Sequence, residues 1–161
     1  MSTKVMLNRL FPKPASNHYS GSPVALWVFA AMTVLTIARS LAHIFLPDGG
    51  AQSIATIPLD AFSSAAAAVV IDMFAQWGLT QLMFGLLYAL VLWRYRSLVP
   101  LMWTFVLFEW TGRFLLGFYK PFETVGTAPG ATGNRIIPML ALLMLILSLR
   151  AWKDAQVTGR G

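Results

Sequence analysis

LVPLMWTFVLFEWTGRFLLGFY, residues Leu98–Tyr119, is a long apolar run with an acid and a base inside it. A helix rises ~1.5 Å per residue, so about 20 apolar residues cover the ~30 Å hydrocarbon core of a bilayer. Ser97 is placed to cap this helix. Pro100 falls in its first turn, where a missing N–H costs nothing, and Pro121 stops it. Glu109 and Arg113 stand at i and i+4, on one face, so they can pair. A lone charge at mid-membrane costs ~3 kcal/mol on insertion scales, so such residues face protein or water and find partners. Two readings follow. The pair offsets its own burial within one helix, or it lines a site for a ligand or ion.

The rest of the chain agrees with a membrane setting. Of its 161 residues, 57% are hydrophobic and 11% charged, against roughly 45–50% and about 25% in soluble globular domains. The net charge of +6 would suit nucleic acid, but the basic residues gather at the ends of apolar segments, where positive-inside anchors lie. No nucleic-acid partner is expected. The absence of cysteine excludes disulfides, thiolate metal sites and a cysteine nucleophile.

Working outward, the expected domains are a polar, basic N-terminal segment over 1–22, a transmembrane domain over 23–152 and a tail over 153–161. The N-terminal segment holds Val5, Met6, Leu7, Leu10 and Phe11, enough for one short interfacial turn. The first apolar run is too long for a signal-peptide core and contains Arg39, so it reads as an uncleaved anchor. The predicted spans are 23–46, 69–93, 98–119 and 135–152. Ser22-Pro23 starts the first and Pro47-Asp48-Gly49-Gly50 ends it. A second helix running from Ser63 to Trp93 would be ~46 Å long, beyond the hydrocarbon thickness. An extramembrane first part, a kink or a separate interfacial helix is therefore expected. The stripe Gln81, Gly85, Ala89 allows close helix contact. The short link Arg94–Ser97 predicts that the second and third helices are antiparallel neighbours. The fourth helix is expected to start near Asn134 as cap, with Pro138 in its first turn. The glycine-rich loop before it reads as mobile.

Eight of the twelve lysines and arginines fall in the N-terminal segment, the Arg94/Arg96 turn and the C-terminal end. The predicted fold is thus an all-α, antiparallel up-down transmembrane four-helix bundle with both termini cytoplasmic, multi-pass in the inner cell membrane. Trp27, Trp93, Trp103 and Trp152 fall near the inner boundary, as an aromatic belt would.

This topology sends Arg39, His43, Asp72 and Gln76 to the outer half. Arg113 joins them there, and Glu109 lies near mid-depth. Arg39 and Arg113 should each approach a carboxylate of Asp72 or Glu109. A neutral network that fixes helix register is one outcome. A cavity binding a polar or anionic head group is the other. No ligand spacing for a metal is present, and no cofactor is implied. Nucleophile-elbow, P-loop and HExxH motifs are also missing.

Three short runs complete the reading: Arg39-Ser40, Gly85-Leu86-Leu87-Tyr88 ahead of the basic turn, and Thr111-Gly112-Arg113. In these and in its order of parts, over about Val24–Trp152, the chain resembles the DoxX-like families of small bacterial four-helix membrane proteins. The resemblance implies a bundle and no established activity. The extended connection Pro47–Ala68 departs from the compact family pattern. A second likeness, without a matching motif, is to four-helix sterol-isomerase-like proteins, where His43, Asp72 and Glu109 would supply acid and base. The expected function is that of an accessory or small-ligand-binding subunit, with a lipid bilayer, a lipophilic or anionic ligand, and a membrane-protein partner or second copy as partners. The alternative is a membrane enzyme or carrier for a lipophilic molecule.

Overall fold

The computed structural model describes residues 3–150. Trp152 and the predicted tail over 153–161 lie outside the described residues. The described residues form five α-helices and no strand: α1 (Thr3–Leu10), α2 (Pro23–Phe45), α3 (Ser64–Arg94), α4 (Val99–Tyr119) and α5 (Pro129–Leu149). Three of them, α2, α3 and α5, are long and apolar enough to cross a membrane. The fourth long helix, α4, carries Glu109 and Arg113 within its apolar run and is not among them.

Prolines set most of the boundaries. Pro23 opens α2 after an extended Ser22. Leu46, which precedes Pro47, is extended too, and α2 stops there. Pro129 opens α5, so this helix begins six residues before the predicted Arg135. Asn134 is therefore not its cap, and Pro138 lies inside the helix. Both Pro129 and Pro138 carry a first-turn signal, and the earlier one sets the start. The predicted cap Ser97 is used differently as well. It sits in a single 3-10 turn, Arg96–Leu98, and Leu98 occupies the cap position of α4. The Ser97 hydroxyl instead accepts the Ser16 N–H at 2.9 Å, while the Ser97 N–H donates to the Ser16 carbonyl at 3.1 Å.

The second predicted span is the upper part of one unbroken helix of 31 residues. The separate interfacial helix does not form. Ser63 caps α3 through its side chain, which accepts the Ala66 N–H at 3.3 Å. Nothing between Ser63 and Tyr95 is a proline, so no local signal interrupts the ladder.

Helices α2 and α3 pack along each other, as do α4 and α5, and α2 also touches α5. Direct contact between α3 and α4 is slight despite their short link, so they are not the packed neighbours that the link predicts. Glycines explain the α2–α3 choice. A Cβ on Gly78 would stand 2.7 Å from the His43 Cβ, and one on Gly85 would stand 2.7 Å from Ile37. These close approaches need a residue without a side chain. They also pair early α3 with late α2, so the two helices are antiparallel.

The main core sits at the end of the helices where the basic turn and the N-terminal segment lie, here termed the basic end. It joins Phe29 of α2, Tyr88 of α3, Trp103 of α4, and Ala141 and Met144 of α5. Trp103 is fully buried, its indole N–H donating to the Ala25 carbonyl at 3.2 Å, so it is a core residue rather than part of an interfacial belt. Trp27 and Trp93 are exposed, at 74% and 75%, as belt residues would be. The N-terminal segment is strapped across this end. Arg9 donates to the Leu149 carbonyl at 2.7 Å, and the Ser22 N–H donates to the Leu147 carbonyl at 3.2 Å.

The opposite end carries the two long connections. Asp48 organises the first of them, accepting from the Gly50, Gln52 and Ser53 N–H groups at 2.9, 3.0 and 2.6 Å. Gly49 and Gly50 adopt φ of 60° and 72°, the left-handed region that a side chain disfavours. The second connection is tied to the first, since the Val125 N–H donates to the Thr56 carbonyl and the Thr56 hydroxyl to the Gly126 carbonyl.

Candidate functional site: an arginine–tryptophan cluster

Arg39 of α2 and Arg113 of α4 share two indole rings, Trp77 of α3 and Trp110 of α4. The Arg39 guanidinium carbon lies 5.8 Å from the Trp77 ring centre and 5.3 Å from that of Trp110. Arg113 lies 4.5 and 5.3 Å from the same rings. A cation is attracted to the negative face of an aromatic ring within about 6 Å, and most strongly by tryptophan. All four contacts meet that distance.

Arg113 also pairs with Glu109, as the i,i+4 spacing predicts. Its Nε and Nη2 donate to the same carboxylate oxygen at 3.0 and 2.5 Å. The other carboxylate oxygen has no hydrogen-bond donor among the described residues. This is also the one ion pair among the described residues. Arg39 therefore lacks an acid partner there. Two guanidiniums meet one carboxylate, and the cluster carries a net charge of +1.

The predicted pairing of Arg39 with Asp72 does not form. Asp72 is exposed and accepts a hydrogen bond from the Gln76 amide at 2.6 Å, one turn along the same helix. Both lie on the outer stripe of α3, which includes Thr80, while Gly78, Gln81, Gly85 and Tyr88 form the buried stripe. Gln81 and Gly85 come from the small-residue stripe that the sequence singled out. A polar stripe and a small-residue stripe compete for the protein-facing side, and here the glycines decide it by allowing α2 to approach.

His43 is in the same neighbourhood with a structural task. Its Nδ1 donates to the Gly49 carbonyl at 2.8 Å, closing the turn after α2. Its ring stacks on Trp77, with centres 4.9 Å apart, and meets Phe74 edge-on. Trp77 is thus flanked by an imidazole and by the guanidiniums.

Two buried polar atoms lack a hydrogen-bond partner among the described residues: Gln81 Oε1 and the Tyr88 hydroxyl. Both belong to the buried stripe of α3, about one and about three turns from Trp77. The sequence reading missed Trp77 and Trp110. The available signal was that, of the six tryptophans, these two fall away from any expected boundary, and that Trp110 precedes Arg113 by one turn.

Comparison of the chain with protein-family models, curated proteins and solved structures finds no match.

Proposed function

We propose that this chain is a multi-pass membrane protein of the inner membrane whose arginine–tryptophan cluster binds the anionic head of a lipophilic small molecule. In this reading α4 is the fourth span and both termini are cytoplasmic, so the basic end faces the cytoplasm. Counting from that boundary at ~1.5 Å per residue puts Arg39 about 24 Å, Trp77 about 26 Å and Arg113 about 21 Å across the ~30 Å core. Asp72 then lies about 33 Å across, in the outer headgroup layer, where an exposed carboxylate is at ease.

The observation that carries the proposal is the charge imbalance. A half-buried cation at this depth needs an anion, and the described residues supply one carboxylate for two arginines. A ligand carboxylate, sulfate or phosphate would complete the set. The tryptophan faces hold both guanidiniums in place before it arrives. The DoxX-like resemblance belongs to this proposal, since two of the runs that carry it contain Arg39 and Arg113. Binding is favoured over acid–base chemistry because the His43 ring is already engaged by Gly49 and Trp77.

The test uses oleate, oleyl alcohol and oleylamine with the purified protein in lipid nanodiscs, read by thermal shift and native mass spectrometry. Oleate should bind and raise the melting temperature, and Arg39→Gln should weaken it about tenfold or more, a change of about 1.4 kcal/mol. Equal binding of oleylamine, or oleate binding indifferent to Arg39→Gln, would overturn the proposal.

A further inference from the structure

The basic end of the bundle holds a second grouping of donors, remote from the arginine–tryptophan cluster. The strap over residues 3–22 does not lie flush on the helices. Between it and the starts and ends of α4 and α5 is an open cleft of about 170 Å³. Its lining includes Arg9, Ser16, His18, Tyr19, Ser20 and Ser97. This is a guanidinium beside serine hydroxyls and a histidine ring, with no carboxylate in the lining; the Tyr19 hydroxyl already donates to the Ser22 carbonyl.

Arg9 is held and still available. One of its five N–H donors goes to the Leu149 carbonyl, which anchors the side chain beside the cleft it lines. The remaining donors suit a phosphate, which offers several acceptor oxygens and is matched by the guanidinium fork. The surroundings add to this. Lys4, Lys13, Arg94, Arg96 and Arg150 all belong to this end, and no Asp or Glu does among the described residues.

A purely anionic site would not need what lies next to it. The exposed face of α1 presents Val5, Met6, Leu7 and, just beyond its end, Phe11. A wider cleft of about 580 Å³ opens beside the first, lined by Leu7 and Phe11 together with Lys13. Donors for a phosphate thus adjoin an open cleft that carries two large apolar side chains and a lysine. An amphipathic helix with lysines and arginines around its apolar face lies in the plane of a membrane surface, and basic residues at that surface attract anionic lipid.

We propose that the basic end binds an anionic phospholipid, with its phosphate on Arg9 and the flanking hydroxyls and its acyl chains along Leu7 and Phe11. The site shares with the proposed function only the placement of this end at the cytoplasmic face.

The experiment is native mass spectrometry of the full chain released from detergent with phosphatidylglycerol or phosphatidylcholine, with inorganic phosphate as competitor. Phosphatidylglycerol should be retained about tenfold more than phosphatidylcholine, a difference of about 1.4 kcal/mol. Arg9→Gln should abolish the preference. Because Arg9 also holds the end of α5, Ser20→Glu provides the independent variant: it places a carboxylate in the cleft from an exposed position and should abolish retention in a folded protein. Leu7→Ser should weaken retention. Equal retention of the two lipids, or retention unaffected by Ser20→Glu, would overturn the proposal. Displacement of the lipid by inorganic phosphate, with Leu7→Ser silent, would also overturn it and identify a free-anion site instead.

Discussion

Trp103 and Trp110 lie two turns apart on α4, and their surroundings differ in kind. Trp103 is enclosed by hydrocarbon and aromatic edges, with Phe29 at 5.6 Å, and its N–H has a backbone partner. Trp110 is nearly as buried, at 5% exposure, yet it bears two guanidiniums on its ring. Around Trp103 itself, burial and polar satisfaction go together. Around Trp110, burial is retained while Arg39 has no carboxylate partner among the described residues. The contrast sets packing that holds the helices together against an arrangement that, in the function proposed above, leaves room for a ligand anion.

The sharpest way to break this contrast is to truncate the packed tryptophan. Trp103→Ala should cost about 3–5 kcal/mol, the range for emptying a large aromatic site in a core. Reversible unfolding in detergent measures it, and a loss below that of Trp110→Ala would reverse the assignment of the two ends.

A smaller effect sharpens the charge argument. Glu109→Gln leaves two cations facing each other, and a loss of roughly 1–3 kcal/mol is expected, below the roughly 3–5 kcal/mol of a fully buried broken pair, since the Glu109 side chain is 34% exposed. Arg39→Gln should do the reverse. Without ligand it leaves a balanced Glu109–Arg113 pair, so stability should hold or rise. If Arg39→Gln destabilises as much as Glu109→Gln, the cluster is a structural network and not a site in waiting.

The smallest effect concerns the loop end. Burial alone would raise the Asp48 carboxyl, but hydrogen bonds from Ser53, Gly50 and Gln52 outweigh it and hold the group below its ordinary value of 3.8. A depressed carboxylate contributes stability above its unfolded value, and that contribution is lost as the pH falls through the folded one. Amide protection factors over residues 48–53, taken against intrinsic rates, should therefore fall below about pH 4, while the amides around Trp103 stay protected. Uniform loosening of both regions would erase the distinction between the ends.

The sequence made the helices legible because proline and glycine punctuate them. Pro23, Pro47 and Pro100 mark boundaries that the structure places within a residue or so. The start of α5 was obscured because Pro129 and Pro138 offer the same signal. The Glu109–Arg113 pair was readable from spacing alone, since both residues share a helix. The partner of Arg39 was not, because it depends on which face of α3 turns inward. Asp72, Gln76 and Thr80 made a polar stripe that invited that choice, and Gly78 with Gly85 settled it the other way. Trp77 and Trp110 escaped notice for a related reason: in an apolar run an aromatic residue reads as filler until a cation is found over its face.

The pairing of α2 with α3 and of α4 with α5 also bears on how the chain assembles. Each pair is contiguous in sequence, so most packing is between neighbours in synthesis, the low-contact-order case that favours rapid folding. Domains and their units form from the N-terminus as the chain emerges. The first hairpin can therefore close through Gly78 and Gly85 before Glu109 has been made. During that interval Arg39 has no carboxylate within the cluster to meet, and Trp77, delivered by the same hairpin, is the partner at hand. The shared indole is then an escort for a charge on its way into place as well as a component of the finished molecule.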